Sequence, residues 1–265
     1  MAAGDVIFNG SGIIHLDHRA VTASIVSTAD WSTDSSGSTL DFSEYLSGTG
    51  AANNRVMDYG PYGDEVYVWE GGSASQTGAI SGFNGGNSAG ELAVLKSIDN
   101  TKTYRFSMWA RVKSAMTNGS CYLGLRAFEA ADAIDTITDI SNGGTTANPY
   151  FALCTNANLA TYFPTGEWRL VSCFLHPYTH SGTTDTTTTG IVKPDGTNLG
   201  TGGGNGDLKW ASTTLKVLIR FFGPYNENGS GKFQVWNPRI DVVDGTEPPF
   251  NELLTGRKGL LLSDK

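Results

Sequence analysis

Long apolar runs are missing from this sequence. The longest near the start, in GDVIFNGSGIIHL, is broken by Asn and Gly, lacks a basic flank, and falls far short of the roughly 20 residues that cross a bilayer. No secretory leader and no membrane insertion are therefore expected. Positive charge is scarce too: 18 Lys and Arg stand against 26 Asp and Glu, a formal charge of −8, which opposes a general binder of phosphate backbones and excludes nucleic acid as the expected partner. Cysteine is limited to Cys121, Cys154 and Cys173, an odd number with no Cys-x-x-Cys pair. They read as reduced core thiols and exclude a disulfide framework. Three Asn-Gly-Ser sequences, at Asn9, Asn118 and Asn228, read as turns.

Catalytic patterns are equally sparse. There is no Gly-x-Ser-x-Gly elbow, no cysteine patterned with a histidine, and no alternating Glu-x-Asp-x-x-Glu strand of the sandwich glycosidases. GTGGGNGD has neither the strand-to-helix setting nor the Lys-Ser/Thr ending of a phosphate loop, and reads as a flexible connection. His176 and His180 are four residues apart, a metal-binding spacing on a helix, but Pro177 and the strand before it argue against a helix there. His15 and His18 flank Asp17 in a distant pair, and no metal is expected. Asp132, Asp135 and Asp139, and likewise Asp64, Glu65 and Glu70, read as solvated surface acids. The expectation is that the chain is not an enzyme.

What is present is strand signal. The 34 glycines, with Ser and Thr in the same polar stretches, punctuate short apolar segments, as in a domain of many strands joined by turns. In 103–113, Tyr104, Phe106, Met108, Ala110 and Val112 alternate with Arg105, Ser107, Trp109 and Arg111, which gives one apolar and one amphipathic face. RVMDYG, EVYVWEG and ELAVLKSI, and segments 121–129, 167–175, 214–222 and 232–243, continue the pattern. Pro238 places the last at an edge or a bulge, or breaks it in two. Trp168 shares a face with Leu170 and Phe174 and is assigned to the core. The best helix candidate is EAADAIDTITDI, 129–140, which would serve equally well as a Gly-bounded loop. No fixed-period repeat is visible, which excludes a solenoid or propeller.

The order of these segments resembles the carbohydrate-binding-module jelly roll, of the family 4/9/22 type, and its relatives in phage tail, fibre and other virion proteins. The motifs that carry the resemblance are ELAVLKSI followed by DNTKTYRFSMWARV, then EWRLVSCFL, and the closing GKFQVWNPRIDVVDGTEP. It implies an all-β jelly-roll sandwich of two antiparallel sheets, with an N-terminal arm in 1–50, a body in 51–248 and a tail in 249–265. It further implies either a virion structural component, made in the host cytoplasm and assembled with other virion proteins or copies of itself, or an extracellular non-catalytic module that binds glycans. Modules of this kind often carry an Asp on the closing strand that helps to hold a structural calcium. Asn237 stands there, a neutral and weaker ligand, so no cofactor is expected beyond a weak calcium site.

A sugar presents apolar faces ringed by hydroxyls, so a binding sheet needs an aromatic platform beside fixed polar donors. Trp109 and Arg111 lie in the phase opposite the Tyr104/Phe106/Met108 face. With Arg220 and Trp236 as neighbours they form the glycan site expected if this sheet binds sugar, the alternative being that Trp109 and Trp236 pack in the core or against a second sheet. Arginine suits this role because its planar fork grips a carboxylate or sulfate.

Overall fold

The computed structural model describes residues 52–72, 82–83, 96–183 and 187–256, and the expected N-terminal arm lies outside them. Fourteen strands are described. They are β1 (Ala52–Tyr59), β2 (Glu65–Gly72), β3 (Gly82–Phe83), β4 (Lys96–Ser97), β5 (Tyr104–Ser114), β6 (Ser120–Phe128), β7 (Ile137–Asp139), β8 (Thr145–Thr146), β9 (Tyr150–Cys154), β10 (Arg169–His176), β11 (Gly190–Val192), β12 (Leu208–Lys209), β13 (Lys216–Tyr225) and β14 (Lys232–Val242). Two short helices, α1 (Leu159–Tyr162) and α2 (Phe250–Thr255), complete the set.

The strands form an all-β sandwich. One sheet has nine strands in the order β1-β2-β14-β5-β10-β12-β7-β8, with β11 also on β10, and the other has five in the order β3-β13-β6-β9, with β4 also on β13. All pairs are antiparallel except the two-residue contact of β12 with β10, which is parallel. Strands β5 and β6 are consecutive yet lie in opposite sheets, as do β13 and β14. The chain thus crosses between layers where it could have closed a hairpin, as jelly-roll connections do.

Alternation explains which residues line the space between the sheets. From β5, Tyr104, Phe106, Met108, Ala110 and Val112 point inward, and they meet Leu123 and Leu125 of β6, Phe151 of β9, and Val217, Ile219 and Phe221 of β13. Aromatic contacts bridge the layers: Trp69 meets Phe221 at 4.9 Å, and Phe106 meets Phe151 at 4.5 Å between ring centroids. Each such buried side chain contributes about 1.5–3 kcal/mol relative to exposure. Cys121, Cys154 and Cys173 are free and fully buried among these residues.

Three features of the sequence take definite form. Segment 129–140 is not a helix but a turn-rich connection that ends in β7, with Ile134 bridged to Phe128. Pro238 sits where the pairing of β14 with β5 shifts register, between Trp236 and Arg239, so an interior strand tolerates it at a bulge. Asn237 occupies that bulge at φ 50°, a left-handed conformation that Asn tolerates better than most residues.

Candidate functional site

The four residues expected to form one site are not together. Trp109, Arg111 and Trp236 lie on the outer face of the nine-stranded sheet, while Arg220 lies on the outer face of the five-stranded sheet, with the core between them. Nor is the tryptophan face open. Trp109 is 2% exposed and Trp236 6%, because α2 and the loop between β1 and β2 fold over them. The Tyr62 ring meets Trp109 edge-on at 5.8 Å and Trp236 at 5.5 Å, and its hydroxyl bonds the Leu253 carbonyl at the centre of α2. Trp109 Nε1 donates to Tyr62 Oη at 3.2 Å. Burial pushes the Tyr62 phenol up to about 12, so it stays neutral and available for these bonds. Val66, Val68, Trp168, Leu170 and Val192 complete a second apolar cluster. Trp168 is therefore buried as expected, but in this outer cluster instead of between the sheets.

Arg111 is equally committed. Its Nε donates to Gln234 Oε1 at 2.8 Å, its Nη2 lies 3.0 Å from Asp58, and its guanidinium sits 4.5 Å above the Trp168 ring. Gln234 in turn donates to Glu70 and Asp58, and Lys232 pairs with Glu70 at 2.7 Å. Arg111, Gln234 and Glu70 are buried in this network and Lys232 closes it from the surface, so Arg111 holds the second cluster in place and its fork is occupied within the fold.

The opposite outer face has the aromatic surface. On β6, Tyr122 alternates with the inward Cys121 and Leu123, and in register it faces Phe222 of β13 and Leu153 of β9. Tyr150 opens β9 and Tyr225 closes β13. Tyr225 reaches this face only because β13 shifts register between Phe222 and Tyr225, since strict alternation would turn it inward. The ring centroids lie at 5.3 Å for Tyr122 and Tyr150, 5.0 Å for Tyr122 and Tyr225, 6.5 Å for Tyr150 and Phe222, and 6.2 Å for Phe222 and Tyr225. The three tyrosines are half-buried and Phe222 is buried beside them. The result is a contiguous floor of four rings with phenol hydroxyls.

Arg220 sits on this floor. Its guanidinium lies 4.9 Å over Phe222 and 5.6 Å over Tyr150, and Nη1 donates to Asn148 Oδ1. In register Arg220 faces Gly124, and a Cβ at that glycine would lie 2.0 Å from the Pro149 carbonyl oxygen. The missing side chain lets β9 close onto β6 and brings Tyr150 under the guanidinium. Burial raises the Tyr150 phenol, and the charges of Arg220 and Arg126 pull it back, which puts both arginines within electrostatic reach of that hydroxyl. Burial likewise raises Tyr122, with Tyr225 adding to the effect, so both phenols are neutral donors and acceptors near pH 7.

Of the four expected residues, then, Arg220 lies on the aromatic face. Tyr122, Tyr150, Phe222, Tyr225 and Arg126 were not singled out from the sequence. Alternation in CYLGLRAF already turns Tyr122 and Arg126 away from Cys121, Leu123 and Leu125, and that signal was legible.

Four of the six acidic residues that a hydrolase reading would need, Asp132, Asp135, Asp139 and Glu70, are tied to structural partners. Asp135 accepts from Thr213 and Thr214, Asp139 from Ser141, Asn142 and Asn205, and Asp132 pairs with Lys216. His176 and His180 stack at 3.9 Å, and His176 contacts the buried Asp207 at 3.2 Å. Among the described residues no three His, Cys, Asp or Glu side chains gather as a metal site.

No protein-family model and no curated protein matches the sequence. Among solved structures the chain is similar to part of an exo-β-agarase, with 10% identity and a TM-score of 0.42 over 80% of this chain and 25% of that one. It is similar also to a Family 16 Carbohydrate Binding Module-2, with 10% identity and a TM-score of 0.33 over 74% of this chain and 89% of that one. A third is the CBM22-1 xylan-binding domain from Paenibacillus barcinonensis, with 6% identity and a TM-score of 0.32 over 75% and 86%. The chain thus spans about a quarter of the agarase and most of each binding module. Likeness at this level concerns the fold alone.

Proposed function

We propose that this chain is a non-catalytic carbohydrate-binding module that holds a glycan on the outer face of its five-stranded sheet. The observation that carries the reading is the floor of Tyr122, Tyr150, Phe222 and Tyr225 with Arg220 laid across it. Rings of this kind match the apolar face of a pyranose, while phenol hydroxyls and a guanidinium match the hydroxyls around it. A sheet face is shallow, so each site binds weakly and useful affinity comes from several copies or several contacts along one polymer. A particle-borne copy and a free-standing extracellular module would use the same face, so the virion setting expected from the sequence is an additional claim about the carrier. The face itself speaks only for the glycan.

The test is affinity electrophoresis and calorimetry on the full chain against a panel of soluble polysaccharides, neutral and acidic. Tyr122→Ala and Tyr150→Ala are compared with Tyr178→Ala, a control at an exposed loop tyrosine elsewhere. Retarded migration of the wild type and the control, lost in the two face variants while their melts stay cooperative, is the expected result. Binding that survives both face variants, or no binding across the panel, overturns the reading.

A further inference from the structure

Two of the three cysteines face each other. Cys121, near the start of β6, pairs in register with Cys154, the last residue of β9, and both side chains lie between the sheets with no exposed surface. Residues opposed in an antiparallel ladder have Cα atoms about 4.5 or 5.5 Å apart, inside the range of about 4.4–6.8 Å that a disulfide spans. The two thiols are hydrogen-bonded to each other, so their sulfurs are already in contact. Cys173 is elsewhere: it lies on β10 in the other sheet, opposite Phe106 of β5, with its thiol directed at the carbonyls of Phe174 and Gly206. The cover over the facing pair is thin. The glycine-rich turn 201–204 lies against Cys154, where a Cβ at Gly202 would come within 2.7 Å of the sulfur. The Leu153 amide donates to the Thr201 carbonyl at 3.2 Å and Asn158 Nδ2 to the Gly202 carbonyl at 2.9 Å, while Gly203 at the tip is exposed. Such a turn opens locally at far less cost than the sheets do.

We infer that Cys121 and Cys154 are a redox pair: under oxidising conditions they close a cross-strand disulfide that staples β6 to β9, the strands that carry Tyr122 and Tyr150, and a thiol reductant reopens it. The bond forms by exchange with a low-molecular-weight disulfide. With turn 201–204 lifted, the Cys154 thiolate attacks one sulfur of that disulfide and expels the first small thiol. Cys121 then gives up its proton and attacks the Cys154 sulfur of the mixed disulfide, expelling the second. Two protein thiols and one small disulfide thus become one protein disulfide and two small thiols. Facing Cβ atoms in a ladder start about 4.5–5.5 Å apart and a disulfide draws them to about 3.8 Å, so closure pulls the strands together and leaves the bond reducible. The pair stands whether or not the outer face of this sheet binds sugar.

The experiment takes the full chain, reduced and freed of reductant, equilibrates it at pH 8 with oxidised glutathione, and counts thiols by alkylation in denaturant and mass spectrometry. The reduced form carries three alkylated cysteines. The oxidised form should carry one, at Cys173, and yield a tryptic peptide pair joining Cys121 to Cys154. Its melting temperature should exceed that of the reduced form by about 5 °C or more, and dithiothreitol should restore three thiols and the lower melt. Cys173→Ala should close the same bond, and Cys154→Ala should leave Cys121 and Cys173 both free. Three thiols after equilibration, a bond that includes Cys173, a lasting glutathione adduct or a link between two chains overturns the pair. A closed bond with no rise in melting temperature overturns the staple. The wild-type readings need no variant, so they decide the matter even where a substitution disturbs the core.

Discussion

At the scale of single residues, charges and thiols take their behaviour from what surrounds them. Asp58 is partly desolvated, which alone would raise its pKa. Hydrogen bonds from Lys113, Gln234 and the Tyr59 amide, with the charge of Arg111, more than offset this and hold the carboxyl far below its usual range. Its folded value lies under its unfolded value of about 4, so the stability it contributes is complete above that pH and is lost as pH falls through the folded value. Melting curves from pH 7 down to about 2 should show wild type losing stability below about 4, while Asp58→Asn starts lower at pH 7 and falls less. A variant with the wild-type slope would remove Asp58 from the account. The thiols give a second expectation. Burial pushes Cys121 and Cys173 well above the ordinary thiol value, and at Cys121 the neighbouring Cys154, directly across the strand pair, adds to the rise. At pH 8 native protein should resist iodoacetamide at both, and denaturant should expose all three cysteines to it. Rapid native labelling of either would contradict the packing between the sheets.

At the scale of elements, two devices position the faces. The first is α2, whose Leu253 closes the second apolar cluster over Trp109 and Trp236. Segment 249–265, expected as a tail, therefore begins with an element of the folded body. Leu253→Ala should cost about 2–5 kcal/mol in urea unfolding, and Trp236→Ala about 3–5 kcal/mol, while polysaccharide binding by the folded fraction is retained. Loss of binding at full stability would return the tryptophans to a ligand site. The second device is the close contact of β6 and β9 at Gly124. Because the obstructing atom is a backbone carbonyl, Gly124→Ala forces the strands apart and should cost about 1–3 kcal/mol or more, with weakened binding as Tyr150 leaves Arg220. A neutral outcome in both measurements would mean that the five-stranded sheet has slack that its register does not suggest.

At the scale of the molecule, the sandwich has a different job on each side. One outer face is sealed by α2 and a buried ion network, and the other presents aromatic rings and cations. Among the described residues, both apolar clusters draw on positions beyond 55. Deleting residues 1–50 should accordingly leave a cooperative melt and intact polysaccharide binding. A broad, non-cooperative melt of the shortened chain would make the expected arm a part of the sandwich.

Periodicity, by itself, determined the architecture. Strict alternation over Tyr104–Val112, and its echoes in CYLGLRAF and TLKVLIRFF, fixes strands with one apolar face, and such strands must pair their apolar faces in two layers. The same alternation correctly turned Trp109 and Arg111 away from the inter-sheet core. Only tertiary structure decided what lies on top of an outward face, because outward names a side of a strand and not access to solvent. The helix that buries Trp109 arrives from residues 250–255, more than 140 positions away, and no local pattern announces it. The half-buried aromatic floor depended on long-range facts as well. Tyr225 joins it through a register shift, Tyr150 through a strand pairing permitted by Gly124, and Arg220 through its place between them. Local chemistry set the faces; non-local pairing chose which one carries the rings.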